Sequence, residues 1–179
     1  TLSSSSAASD VYKRQDKECT LALKVLNYKH QSWPQSVRNL WNEFEVIRNF
    51  DKCEYVLQYY DFIEAGKAID ERGKERTVSY IVMEYCEYSL LNLMNDIATE
   101  ESVQYIFTEL LKAVSQIHSW GFYHWDIKPD NILLTKDYKL KIIDFGFCTD
   151  RVAGMAGEKV GTVNYNSWES LLGKEFMNE

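Results

Sequence analysis

The run His124-Trp125-Asp126-Ile127-Lys128-Pro129-Asp130-Asn131 gathers carboxylates, an amine and a carboxamide, and Asp144-Phe145-Gly146 follows after a strand, a turn and a strand. A carboxylate can take a proton from a hydroxyl, and a lysine can balance anionic charge. Carboxylate and carboxamide oxygens are the donors that a hard divalent cation prefers to nitrogen or sulfur. A polar turn between a helix and a strand accounts for Pro129, but not for this spacing. Far upstream, Lys24 is the lysine of the β-prone run Cys19 to Leu26, and Glu43 sits beside an apolar stripe.

The elements around these residues can be read from periodicity. In 19–26, Leu21, Leu23 and Val25 alternate with Thr20, Ala22, Lys24 and Leu26, the pattern of a strand. Ser36 to Phe50 carries Val37, Leu40, Trp41, Phe44 and Ile47 at helical spacing, which predicts a helix with one buried stripe. Tyr55 to Ile63 and Thr77 to Glu84 predict a hairpin, with the polar GKAIDERGKER as its exposed connection. Val103, Ile106, Phe107, Leu110, Leu111, Val114 and Ile117 predict a long helix with a continuous apolar face, ended by Gly121. Asn131 to Leu134 and Lys139 to Ile143 predict short strands around Lys136 and Asp137, with irregular chain beyond Asp144.

Taken together, the order of these motifs resembles the eukaryotic-type protein kinases: the Ala22-x-Lys24 strand, the helix glutamate, the Asp126 to Asn131 loop, Asp144-Phe145-Gly146, and Gly161-Thr162 leading to Glu169. The resemblance covers residues 16–179. It implies an α+β, two-lobe protein-kinase-like fold, with part of the N-lobe in 16–84 and part of a mainly helical C-lobe in 85–179. The family's glycine-rich loop before the Lys24 strand and its large helices beyond Glu169 have no counterpart here, so the expected domain is truncated.

The resemblance also implies roles. Lys24 would meet the α- and β-phosphates of ATP, oriented by an ion pair with Glu43. Glu45 is the rival partner, and Glu43 is preferred because Ile47 then takes the packed helix position. Asp126 would accept or orient the proton of the acceptor hydroxyl, and Lys128 would balance charge on the transferring phosphate. Asn131 and Asp144 would bind Mg²⁺. Met83-Glu84-Tyr85-Cys86 resembles the hinge: Met83 would be the gatekeeper, backbone groups of Glu84 and Cys86 would bind adenine, and Ala22 and Leu133 would sandwich it. His124 and Phe145 read as packing residues, and Phe145, Gly146, Thr162 and Glu169 as parts of the activation segment.

Some positions depart from the pattern. Trp125 stands where the family usually carries the arginine that clamps an activation-loop phosphate, and residues 150–161 contain no Ser, Thr or Tyr. The two absences agree, and they imply activity that is not switched by phosphorylation within that stretch, with Glu158 as a fixed negative charge. Ser167-Trp168-Glu169 replaces Ala-Pro-Glu.

The implied activity, in the full-length form and not in the fragment itself, is ATP-dependent phosphoryl transfer to Ser/Thr hydroxyls of protein substrates, because Lys128-Pro129-Asp130-Asn131 is similar to the Ser/Thr signature. Two alternatives are a pseudokinase acting as a nucleotide-binding or scaffolding module, and a small-molecule kinase of the same fold. The net charge of -7 over 179 residues argues against an electrostatic hold on nucleic acid or anionic lipid. No apolar run is long enough for a membrane span, and the scattered Cys19, Cys53, Cys86 and Cys148 suggest neither zinc nor disulfides. A soluble intracellular protein, cytoplasmic by default with the nucleus left open, is expected. Residues 1–15 are set apart: Ser5 to Gln15 resembles the in-frame translation of a transposon-based sequencing adapter, and the alternative is a disordered native leader.

Overall fold

The computed structural model describes residues 9–15, 20–26, 33–69, 72–94, 99–150 and 161–167. Glu158, Trp168 and Glu169 lie outside the described residues. The chain divides into two compact units, Thr1–Lys52 with Leu57–Tyr85, and Cys53–Val56 with Cys86–Glu179. The expected boundary at 84/85 is therefore displaced by one residue, and Cys53–Val56 belongs with the second unit. The cause is local: Ile142 N–H donates to the Tyr55 carbonyl at 2.7 Å, and Cys53 Sγ donates to Gln116 Oε1 at 2.9 Å.

The first unit is an antiparallel sheet ordered β1-β2-β4-β3 with one helix. Its elements are β1 (Ser9–Gln15), β2 (Thr20–Leu26), α1 (Trp33–Ile47), β3 (Tyr59–Ile69) and β4 (Glu75–Glu84). In β2 the buried face is the one that carries the lysine, Ala22-Lys24-Leu26. Lys24 lies opposite Ile81 and Ala22 opposite Met83, both fully or nearly buried. A strand side chain enclosed in this way needs a partner for its charge.

Helix α1 supplies that partner. It buries Leu40, Glu43, Phe44 and Ile47, a spacing of three and four that aligns them on one face. Trp41, expected in this stripe, is 43% exposed and instead meets Phe62 of β3 edge-on at 5.0 Å. Helical backbone begins before the expected Ser36 and gives way to a 3-10 turn at Arg48–Phe50.

Two features of this sheet were not expected. The leader set apart from the fold pairs with β2 from Ser9↔Leu26 to Gln15↔Thr20. Edge pairing uses main-chain groups, so it leaves little trace in side-chain periodicity. The hairpin also runs further than expected: Gly66↔Val78 to Ile69↔Glu75 continue the ladder into the polar segment read as connection.

The second unit contains β5 (Tyr88–Ser89), α2 (Leu90–Leu93), α3 (Glu100–Ser119), β6 (Phe122–Tyr123), β7 (Ile132–Leu134), β8 (Leu140–Ile142) and β9 (Thr149–Asp150). The strands form a β5-β7-β8 sheet and a β6-β9 pair. β7 is buried at every residue and contributes to a core with Ile117, Leu140, Ile142 and Phe145.

Thr99 caps α3 by accepting from Ser102 N–H at 3.2 Å, with Glu100 and Glu101 complementing the dipole. At the other end Gly121 takes φ +85° and its N–H bonds to the His118 carbonyl, as the expected terminator should. The expected continuous apolar face is only partly packed. Ala113 and Ile117 are buried, whereas Val103, Phe107 and Leu111 are more than half exposed. At about 100° per residue these three lie toward one side of the apolar arc. Among the described residues, no helix is long and apolar enough to cross a membrane.

Candidate active site

In the first unit, Lys24 Nζ donates to Glu43 Oε2 at 2.7 Å and to Oε1 at 2.9 Å, with both side chains buried. Glu45 is excluded as the partner: it is exposed and pairs with Arg48 at 3.2 Å. The Tyr59 hydroxyl also donates to Glu43 Oε1, at 2.6 Å. Tyr59 is a residue that sequence reasoning missed. Leaving either member of a buried ion pair alone costs about 3–5 kcal/mol, so the arrangement fixes where the ammonium can be.

In the second unit, the loop after β6 is drawn tight around Asp126. Lys128 Nζ lies 2.8 Å from Asp126 Oδ2. The Asn131 amide donates to Asp126 Oδ2 at 3.0 Å and to its backbone carbonyl at 2.9 Å. The Thr162 hydroxyl donates to Asp126 Oδ1 at 2.7 Å while accepting from Lys128 Nζ at 2.7 Å. Burial is the largest single influence on the Asp126 carboxyl and pushes it up. The hydrogen bonds from Lys128 and Thr162, the Lys128 charge and the Asn131 bond together outweigh it, leaving the carboxyl below the ordinary value of 3.8. It is a carboxylate at neutral pH.

Local sequence explains this shape. Pro129 starts a 3-10 turn, where its fixed φ suits the first position and its missing N–H has no cost, and Asn131 N–H closes on the Lys128 carbonyl at 2.9 Å. His124 is held at both ring nitrogens. Nε2 meets the Ile143 carbonyl at 2.9 Å, and Nδ1 accepts the Asp126 N–H at 3.2 Å, which assigns a neutral ring protonated at Nε2. Burial keeps it neutral by holding its pKa below 6.5. Its ring meets Phe145 edge-on at 4.8 Å, so both residues occupy the packing positions expected of them.

Asp144 joins the same region through its neighbour, since Ile143 N–H bonds to the Asn131 carbonyl at 3.0 Å. Asp144 takes the left-handed conformation, φ +65°, which Asp tolerates better than most residues. Gly146 is not sterically demanded: an added Cβ would meet only Asp144 Oδ1, at 3.6 Å. Gly161 is demanded, because with φ +86° its Cβ would fall 2.5 Å from the Trp125 carbonyl.

No cluster of three or more His, Cys, Asp or Glu side chains suited to a metal occurs among the described residues. The set present, one carboxylate and one carboxamide, nevertheless fits Mg²⁺, which binds through one or two protein oxygens and completes its shell with water and phosphate. Because the Asn131 amide donates to Asp126, Oδ1 is left as the end able to meet a cation.

The remaining expected residues are placed singly. Ala22 and Met83 are buried and face each other across β2 and β4. The Glu84 N–H donates to the Gln58 carbonyl at 2.8 Å, which removes that donor from nucleotide recognition. Cys86 and Leu133 are buried in the second unit. Thr149 is a second residue that sequence reasoning missed in this role; its hydroxyl accepts from Trp125 Nε1 at 2.9 Å.

Comparison with known proteins places the chain in a family. The chain is 29% identical over 163 residues to Maternal embryonic leucine zipper kinase of Xenopus laevis, covering 88% of this chain and 23% of that protein. It is 30% identical over 164 residues to Serine/threonine-protein kinase sax-1 of Caenorhabditis elegans, covering 88% and 30%. A Probable cell division protein kinase of Encephalitozoon cuniculi is 35% identical over 133 residues, covering 73% and 41%. The chain thus spans less than half the length of these relatives. The protein kinase domain model matches residues 5–179, and by that match the chain belongs to the protein kinase domain family.

Proposed function

We propose that the full-length protein to which this chain belongs carries out ATP-dependent phosphoryl transfer to Ser or Thr hydroxyls of protein substrates. The observation that carries the reading is Asp126, a buried carboxylate kept ionised by Lys128, Thr162 and Asn131. In this reading the acceptor oxygen forms a bond to the γ-phosphorus, the bond from that phosphorus to the β–γ bridging oxygen breaks, and ADP departs. The hydroxyl proton passes to Asp126. Lys128 balances charge on the transferring group, and Lys24, aligned by Glu43, meets the α- and β-phosphates. Asn131 and Asp144 would hold Mg²⁺, which when bound would neutralise charge on the triphosphate. Ala22 and Met83 offer apolar surface to the adenine.

Positioning and electrostatics do most of the work in such a transfer. Every residue type needed for them is present, which favours turnover over a scaffolding pseudokinase. The name of sax-1 and the Lys128-Pro129-Asp130-Asn131 sequence both support a Ser/Thr acceptor. The test is transfer of labelled phosphate from Mg-ATP to a protein substrate by the protein containing this chain, beside Asp126→Asn and Lys24→Met. Transfer abolished in both variants is expected. Nucleotide binding without any Asp126-dependent transfer would favour the scaffold instead.

A further inference from the structure

Trp125 touches both ends of the segment that separates Thr149 from Gly161. Its indole Nε1 donates to Thr149 Oγ1 at 2.9 Å, and its carbonyl lies so close to Gly161 that no side chain fits there. Thr149 lies opposite Tyr123 in the β6-β9 pair, so the indole folds back beside its own strand, its ring 5.9 Å from that of Tyr123. The backbone of Trp125 is held at φ +65°, a conformation that a bulky residue adopts only when its surroundings impose it. The next residue is Asp126, and the residue after Gly161 is Thr162, which bonds to it.

We propose that Trp125 is a positioning residue, whose hydrogen bond to Thr149 is an uncharged latch that fixes β9 against the loop bearing Asp126 without any phosphate. The proposal rests on the phosphoryl-transfer reading above. Donor and acceptor are both neutral over the physiological pH range, so the latch is insensitive to salt, unlike a clamp made of a cation and a phosphate.

The experiment compares the whole protein with Trp125→Phe, Thr149→Val, Thr149→Ser and the double variant Trp125→Phe/Thr149→Val. It measures kcat and the KM for ATP at low and high salt. Each of the first two should lower kcat about three- to tenfold, the range expected for one hydrogen bond, with KM for ATP unchanged. The double variant should lose no more than the worse single, and Thr149→Ser should restore most of the rate. The ratios should hold across salt. Additive losses, unchanged rates in both singles, or Thr149→Ser as damaging as Thr149→Val would each overturn the proposal.

A second measurement does not depend on turnover. The indole N–H of Trp125 should exchange with solvent more slowly in the native protein than in Thr149→Val, and equal exchange would overturn the latch. Slow exchange in a protein that shows no Asp126-dependent transfer would leave the latch standing and remove the kinase activity.

Discussion

Tyr59 donates its hydroxyl to the same Glu43 oxygen that accepts one of the Lys24 hydrogen bonds, at 2.6 Å and 2.9 Å respectively. Glu43 is thus held from β3 as well as from β2, and its carboxylate plane is fixed by two donors on different strands. A hydrogen bond to a charged group contributes about 1.5–3 kcal/mol. Tyr59→Phe should therefore destabilise the protein by about that much in urea unfolding, with the m-value unchanged. On the proposed function it should also weaken ATP binding, because Glu43 loses one of the two donors that orient it.

Glu43 and Glu45 differ by two positions on α1, and the difference should be large. Glu43→Gln takes a buried carboxylate away from the Lys24 ammonium and should be clearly destabilising, by up to the about 3–5 kcal/mol of a broken buried pair. Glu45→Gln removes only an exposed pair with Arg48 and should change stability by less than about 0.5 kcal/mol. Paired denaturation curves check both, and equal effects would contradict the assignment of the ion pair.

Much of this arrangement could be read in the sequence because its parts are periodic or closely spaced. Lys24 on a strand, Glu43 on a helical stripe and the Asp126 to Asn131 loop all fall within short windows. Tyr59 and Thr149 did not show, because each acts on a residue 16 or 24 positions away, and no local pattern marks a hydroxyl as the third partner of a carboxylate or the acceptor of an indole. The edge strand Ser9–Gln15 was hidden for a different reason, since its pairing is carried by the main chain. In α3 the sequence showed an apolar arc but could not tell that Ala113 and Ile117 are packed while Phe107 is not.

His124 makes stability depend on pH. Burial, the main influence, holds its pKa below the 6.5 of an unfolded histidine, and the Ile143 carbonyl, Asp144 and Asp126 only partly oppose it. The unfolded chain therefore binds the proton first. Stability from this group is complete above about pH 6.5 and falls as pH drops below it, at up to about 1.4 kcal/mol per pH unit, until the folded-state pKa is passed. His124→Asn should flatten that part of the stability–pH curve, measured by urea unfolding between pH 7 and 5.

Gly161→Ala tests the contact beneath Trp125. The new methyl would collide with the Trp125 carbonyl and the Asn166 side chain, both at 2.5 Å, on a backbone already at φ +86°. Relief requires the 161–166 stretch to move away from the loop, carrying Thr162 with it. On the proposed function, phosphoryl transfer should fall at least tenfold with nucleotide affinity unchanged. An unaffected kcat would show that Thr162 reaches Asp126 without this close approach.

Thr162→Val probes the carboxylate directly, because it removes the donor to Asp126 Oδ1 and the acceptor for Lys128 Nζ while keeping the shape of the side chain. The hydroxyl is one of the groups holding the Asp126 carboxyl below 3.8, so its loss should raise that pKa. The sign follows from linkage: a depressed carboxyl contributes stability above its unfolded pKa and loses it as pH falls through the folded one, so raising the folded value moves the loss to higher pH. The acid limb of the kcat–pH profile should move upward in the same direction, and Thr162→Ser should return it. A limb that stays in place while kcat falls would mean that the hydroxyl positions Lys128 rather than tuning Asp126.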